Sequence, residues 1–387
     1  MICFACQHET VQELGRAGIR AGSVTSDSWP CALEAMVHFC PRCGHLQKHH
    51  NAVTLAAIEE IYRDYAPHHL AQGNEQVVFP EGLPPRPRTW HTLERCSPIL
   101  PADGRLLDVG CGNGAVLKSA GALLKSWELH GYDLNDKHRD EILRLPGVAS
   151  FTSGSLKELP HREFDLVVLW HTLEHIPSPQ GPLAELRELL KPSGFLLVQV
   201  PDIERTPFDM AVIDHTSHFS RRTLEILCRR AGFEVAIDGT PWVHNCLTLL
   251  LRKAKAPDSS TLAADAATLA EARSQFYWYN ATVRQFDEAT KSGEFAIFGA
   301  GMAGIALLTQ LSRRPVCILD EDQQREGSDL DNIPIITPFR APVGLKVILP
   351  FTRNNAERIA AKVRTSAPAA ATWEFIFPAD FPNPPLT

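Results

Sequence analysis

No run of apolar residues in this 387-residue chain approaches the roughly 20 needed to cross a membrane. The opening residues MICFACQHE lack the basic start of a secretory signal. Both absences predict a soluble, cytoplasmic protein without a membrane partner. Excess positive charge is missing too: 38 basic against 45 acidic residues give a formal net charge of -7, and there are no Lys/Arg runs. That balance disfavours nucleic acid as the main partner. The length exceeds one ordinary domain and predicts two or three.

Cysteine is what the chain does have. In a reducing compartment its ten cysteines are not expected to form disulfides. Cys3 and Cys6 form one CxxC and Cys40 and Cys43 another, the second followed by Gly44, which relieves a tight turn. Two such knuckles can wrap one tetrahedral zinc through four thiolates; free thiols are the alternative, and His8 or His45 could replace a thiolate. A closed four-thiolate site leaves no open coordination position, so this zinc would be structural. Cys31, Cys96, Cys111, Cys228, Cys246 and Cys317 lack such partners and read as small core residues.

The most informative stretch is LLDVGCGNG, Leu106 to Gly114. An apolar run ending in Asp108 and opening into Gly110, Gly112 and Gly114 reads as a strand, a glycine turn and a helix start. The acidic residue precedes glycines spaced GxGxG, which suits S-adenosylmethionine better than a dinucleotide. About 25 residues on, a second strand-like run ends in Asp133, followed by Leu134. Val148 to Leu156 then offers Ser155 and Leu156. FDLVVLW, followed by HTLEHIPSP, and KPSGFLLVQVP read as a fourth and fifth strand. Strands alternating with helices imply a parallel sheet covered on both faces, with ligand at its carboxyl edge.

These residues resemble the class I methyltransferases, which bind S-adenosylmethionine. The resemblance implies cofactor contacts from Asp108, Gly110, Gly112 and Gly114, a ribose contact from Asp133 beside Leu134, and an adenine contact near Ser155 and Leu156. The phrase WHTLEHIPSP is similar to small-molecule methyltransferases and adds His171 to the cofactor side.

Beyond the fifth strand, Asp214, His215 and His218 lie just before a helix signal capped by Ser220 and ended by Gly232. These groups either carry chemistry or only pack and cap. From Lys253 to about Gly293 an alanine-rich stretch with the aromatic cluster FYWYN reads as a helical connector. EFAIFGAGMAGIALL then begins another strand and glycine turn. Gly299, Gly301 and Gly304 satisfy GxGxxG, and Asp320 ends the next strand, so a dinucleotide site is the literal reading. Only 83 residues follow Gly304 (387 minus 304), enough for one mononucleotide-binding half. A truncated sheet domain that contacts a diphosphate or packs is the preferred expectation.

The whole order resembles the nucleotide-sugar C-methyltransferases of deoxysugar biosynthesis. It implies an α/β fold: a Rossmann-like class I methyltransferase core, a small N-terminal zinc-binding domain and a C-terminal half-Rossmann α/β domain. The expected domains are 1–60 for zinc, 61–252 for methyl transfer, 253–293 as connector and 294–387 as the C-terminal domain. The resemblance implies a 4-keto sugar on a nucleoside diphosphate as substrate, His215 as base, Asp214 as its orienting partner and His175 as a sugar ligand. Tyr62 and Tyr65 fall near the family's aromatic substrate contacts. Val212 stands where the family has a tyrosine, His171 where it has an asparagine, and Glu174 is an added carboxylate. O-methylation of a sugar, glycan precursor or other small molecule is the alternative, and RNA methylation a more remote one.

Overall fold

The computed structural model describes residues 1–66, 75, 77–78, 84–258 and 263–380. Its contacts group the chain into two compact units, each assembled from separate stretches. One unit comprises Met1–Thr10, Gly73–Asp202 and Phe219–Ala263; the other comprises Val11–Gln72, Ile203–His218 and Ala264–Thr387. Among the described residues, no helix is long and apolar enough to cross a membrane.

The first unit is built on a seven-stranded sheet. In spatial order its strands are Val148–Ser153, Trp127–Asp133, Gly104–Val109, Phe164–Trp170, Leu190–Pro201, Cys246–Lys253 and Phe233–Asp238. The central runs LLDV and FDLVVLW are buried along almost their whole length, as strands covered on both faces must be. The expectation of a parallel sheet needs one correction, because Cys246–Lys253 runs antiparallel to both neighbours. Residues 239–245 are too few for the crossover of a dozen or more that a parallel pairing requires. The helix Arg221–Arg230 starts at Ser220 with a capping box to Thr223. Gly232 follows it in the left-handed region at φ 83°.

The second unit holds two sheets. A four-stranded one orders Gln12–Arg16, Met36–Phe39, Leu46–Gln47 and Ser217–His218, so residues far apart in sequence share an edge. The other has six strands with Phe295–Phe298 near its centre, parallel except for the hairpin pairing of Asp329–Leu330 with Ile333–Ile336. Alternate residues of FAIF feed opposite cores: Phe295 and Ile297 join one apolar cluster, Ala296 and Phe298 another. The stretch read as a connector contributes the helix Ala266–Ala289, capped by Asp265. Phe276, Trp278, Tyr279, Val283 and Phe286 bury one side of that helix in the first of these clusters, so it is a core element of its unit.

Candidate functional site

The strand Gly104–Val109 delivers Asp108 and the glycine turn to the carboxyl edge of the seven-stranded sheet. Gly110, Gly112 and Gly114 have φ values of 75°, 48° and 82°, a region that side chains other than glycine rarely adopt. A Cβ on Gly110 would meet the Thr172 side chain at 2.6 Å, so a methyl there has no room. Asp133 ends the adjacent strand, and its Oδ2 accepts from the Gly112 N–H at 2.9 Å. The structure thus brings the expected glycine turn and the expected ribose carboxylate together. Leu134 beside Asp133 is exposed. Ser155 caps the short turn Leu156–Glu158 by accepting from the Lys157 N–H at 3.3 Å.

Asp108 is buried, and neither carboxylate oxygen has a hydrogen-bond partner among the described residues. Burial first, and then the charge of Asp133, push its carboxyl well above the usual carboxylate range. Such an orphaned acid is costly unless a ligand completes it. Beside a turn that lets backbone approach closely, it suits a ligand carrying a positive charge or N–H donors. The donor set fits S-adenosylmethionine, which has an ammonium group and a sulfonium.

The next loop carries a network that no single local motif announces. His171 follows the strand Phe164–Trp170 in the left-handed region at φ 50°, a strained conformation for a residue with a side chain. Its Nδ1 lies 3.2 Å from Glu174 Oε1, and its Nε2 lies 3.5 Å from Arg88 Nη1 and 3.8 Å from Cys246 Sγ. Burial works against a charged imidazole, but the hydrogen bonds to Cys246 and Glu174 outweigh it and raise the pKa to about 9. Arg88 also lies 3.8 Å from Glu75, which accepts from the Thr89 hydroxyl at 2.6 Å. Cys246 is therefore more than a core filler. His175 ends the short turn Leu173–His175 in the same loop and is half-buried. The HxxE spacing of His171 and Glu174 was the one local signal of this arrangement.

In the second unit the loop before Ser217–His218 contains a buried chain of charged groups. Asp209 Oδ1 lies 2.7 Å from His215 Nδ1, and its Oδ2 lies 2.7 Å from His218 Nδ1. Lys48 Nζ donates to the carbonyls of Val212 and His215 at 2.7 and 2.9 Å and lies 2.8 Å from His218 Nε2. As an ammonium, Lys48 spends all three N–H donors on these acceptors. His218 then accepts at Nε2 and donates from Nδ1, which assigns the tautomer of a neutral ring. Asp209, an acceptor only, also takes the Nδ1 proton of His215 and leaves the His215 lone pair on Nε2. Burial opposes the Asp209 charge, but both histidines hold its pKa far below the ordinary range. Burial drives Lys48 down to about 7 against the pull of Asp209 and Asp214, and burial with Lys48 drives His218 down to about 3.

One assignment is corrected here. The carboxylate on His215 Nδ1 belongs to Asp209, whereas Asp214 accepts from the Ser26 backbone N–H at 2.9 Å and the Ser26 hydroxyl at 2.5 Å. The loop turns between the two residues through Pro207–Ala211, so the more distant acid reaches the ring. The Tyr65 hydroxyl lies 3.3 Å from Ser26 Oγ, and its ring meets Tyr62 edge-on.

Cys3, Cys6, Cys40 and Cys43 are all buried. Each pair closes a knuckle: the Cys6 N–H points at Cys3 Sγ at 3.5 Å, and Gly44, at φ 82°, donates to the Cys40 carbonyl at 2.9 Å. None of the ten cysteines forms a disulfide, and burial raises the thiol pKa of Cys96, Cys111, Cys228 and Cys317. The C-terminal glycine turn is closed on itself. Asp320 Oδ2 accepts from the Ala300 N–H at 2.8 Å and from Arg325 at 3.0 Å, and its Oδ1 accepts from the Asp322 N–H at 2.9 Å.

Residues 85–236 match a family model described as a methyltransferase domain. An uncharacterized methyltransferase of Schizosaccharomyces pombe is 27% identical over 154 residues, covering 35% of this chain and 55% of that protein. A ubiquinone biosynthesis O-methyltransferase of Aromatoleum aromaticum is 26% identical over 160 residues, 35% of this chain and 66% of its own length. Another of that description, from Xanthomonas axonopodis pv. citri, is 32% identical over 126 residues, 29% of this chain and 49% of its own. The chain thus spans between about half and two thirds of the relatives it matches. Among solved structures, a TehB-like S-adenosylmethionine-dependent methyltransferase from Corynebacterium glutamicum has a TM-score of 0.34 and 19% identity, over 52% of this chain and all of that one. Taken with the sheet order, the family match shows a class I S-adenosylmethionine-dependent methyltransferase domain in this chain.

Proposed function

We propose that the protein transfers a methyl group from S-adenosylmethionine to a small-molecule acceptor, and that His215 removes the acceptor's proton. The observation that carries the cofactor half is Asp108, a buried acid with two unpartnered oxygens beside the glycine turn and Asp133. Asp108, Gly110, Gly112, Gly114 and Asp133 would hold the cofactor, with Leu134, Ser155, Leu156 and His171 around it. When bound, S-adenosylmethionine supplies an electrophilic methyl. His215 accepts the proton at Nε2, and the charge it gains is balanced by Asp209 on Nδ1. Asp214 secures the loop through Ser26, and His175 and Tyr65 serve as acceptor ligands.

The preferred acceptor is the carbon next to the ketone of a nucleotide-linked keto-deoxysugar, as the sequence resemblance implies. The relatives described as ubiquinone biosynthesis O-methyltransferases favour a second reading, in which His215 deprotonates a hydroxyl. Proton exchange separates the two. In deuterium oxide with S-adenosylhomocysteine bound, a thymidine diphosphate 4-keto-6-deoxysugar should exchange the hydrogen beside its ketone, and His215→Ala should stop it. Methyl transfer to a hydroxyl acceptor without any such exchange would establish the second reading.

The four cysteines are the ligands of our proposed zinc. Buried thiolates in two knuckles match a closed tetrahedral set, whose chemistry is structural.

A further inference from the structure

Glu128, His130 and His161 form a second cluster of metal-ligating side chains, confined to the methyltransferase unit. Glu128 and His130 are two apart on the strand Trp127–Asp133 and so share one face of it. His161 comes from the segment just before the strand Phe164–Trp170. Glu128 Oε2 lies 3.9 Å from His130 Nε2, and its Oε1 lies 3.9 Å from His161 Nε2. The two imidazole rings are 5.1 Å apart between centroids.

The His130 ring gives the cluster a direction. Its side chain is fully buried, yet its Nε2 has no hydrogen-bond partner among the described residues. Its Nδ1 is 2.8 Å from Ser150 Oγ. With Nδ1–H donating to Ser150, Nε2 keeps an unshared lone pair and lies 3.9 Å from Glu128 Oε2. A hydroxyl or carbonyl on the far nitrogen is how metal-binding histidines are commonly oriented.

We propose that Glu128, His130 and His161 bind a zinc-like divalent transition-metal ion, with water completing a tetrahedral set. Two imidazoles select against magnesium and calcium, which prefer oxygen donors. Bonds of about 2.0–2.1 Å place tetrahedral ligand atoms roughly 3.4 Å apart. One ligand atom from each residue lies within 4.8 Å of the other two, and Glu128 Oε1 is 3.9 Å from His161 Nε2, so the Glu128 and His161 side chains, 40% and 38% exposed, close in by at most roughly 1.4 Å to reach that spacing. Arg105 Nε donates to Glu128 Oε2 at 2.9 Å, which leaves Oε1 to the ion. Glu128 lies at the amino-terminal end of its strand and His161 just before the strand Phe164–Trp170, whereas Asp133 and the glycine turn lie at carboxyl ends. The ion therefore pins the loop before Phe164 to the sheet and takes no part in methyl transfer.

The test is calorimetric titration of the full chain with Zn²⁺, with metal analysis before and after, and with the cysteine-bound metal left in place. One further equivalent should bind, Mg²⁺ should not compete, and His161→Ala and Glu128→Gln should each weaken that step by at least about tenfold. Both altered positions are partly exposed, and circular dichroism will verify that the variants fold. Absence of the extra equivalent, or its full retention in both variants, would overturn the site. Its loss in Cys40→Ser but not in His161→Ala would assign the ion to the cysteines and also overturn it.

Discussion

At the scale of single residues, the decisive arrangement is a carboxylate shared by two imidazoles. Asp209 keeps the protons of His215 and His218 on Nδ1, while Lys48 closes the other side of His218. Asp209→Asn keeps the shape but replaces one acceptor oxygen by a donor, which disfavours the Nδ1–H tautomer on one ring. As a positioning residue, Asp209 should then lower kcat by on the order of 10²-fold or more while KM and S-adenosylhomocysteine affinity change little. An equal rise in KM would instead mark Asp209 as a merely structural group. Lys48 supplies a pH signature. Its pKa falls from 10.5 to about 7 on folding, so between those values the unfolded chain binds more protons than the native one. Stability conferred by this group therefore rises with pH from about 7 upward, by at most about 1.4 kcal/mol per pH unit. Urea unfolding at pH 7 and 9, compared between the native chain and Lys48→Met, should show the native chain gaining on the variant. A pH-independent difference would contradict the assignment.

At the scale of elements, the two knuckles carry their own prediction. If Cys3, Cys6, Cys40 and Cys43 hold zinc, a thiol-modifying reagent should release one equivalent from the intact chain, and Cys40→Ser should lose that metal and much of its soluble yield. A native chain that is stable and carries no metal at the cysteines would end the zinc reading. These elements were legible because their signals are local: CxxC pairs, an apolar run stopped by glycines, an acid at a strand end. Asp133 and the glycine turn were found this way, and Gly110 against Thr172 explains why the turn needs glycine. Asp209, Lys48 and Arg88 were not legible. Lys48 reaches His218 across 170 residues of chain, and Asp209 displaces the nearer Asp214 through a turn that no periodicity announces. The helix Ala266–Ala289 reads as a connector although its aromatic cluster is visible, because nothing local says that Phe276, Trp278, Tyr279 and Phe286 are buried together; only tertiary packing reveals that.

At the scale of the whole molecule, two glycine turns end two different sheets, and their acids tell them apart. Asp108 is buried with both oxygens unpartnered, whereas Asp320 is fully engaged by Ala300, Asp322 and Arg325. A ligand gains by satisfying the first acid; at the second it would have to displace bonds already made. The helix after the second turn, Met302–Leu308, is also only seven residues long, which weakens any dipole offered to a phosphate. Ligand binding to the native state raises the unfolding midpoint, by a free energy near 2.7 kcal/mol when ligand is at 100 times its Kd. S-adenosylhomocysteine should accordingly raise the thermal midpoint of the full chain, and NAD at the same concentration should leave it unchanged. Asp108→Asn should abolish most of the first shift, because an amide cannot offer a charge to the ligand's ammonium. A shift with NAD that survives Asp108→Asn but vanishes in Asp320→Asn would instead make the second turn a dinucleotide site, and the closed hydrogen bonding around Asp320 would have to open to admit the ligand.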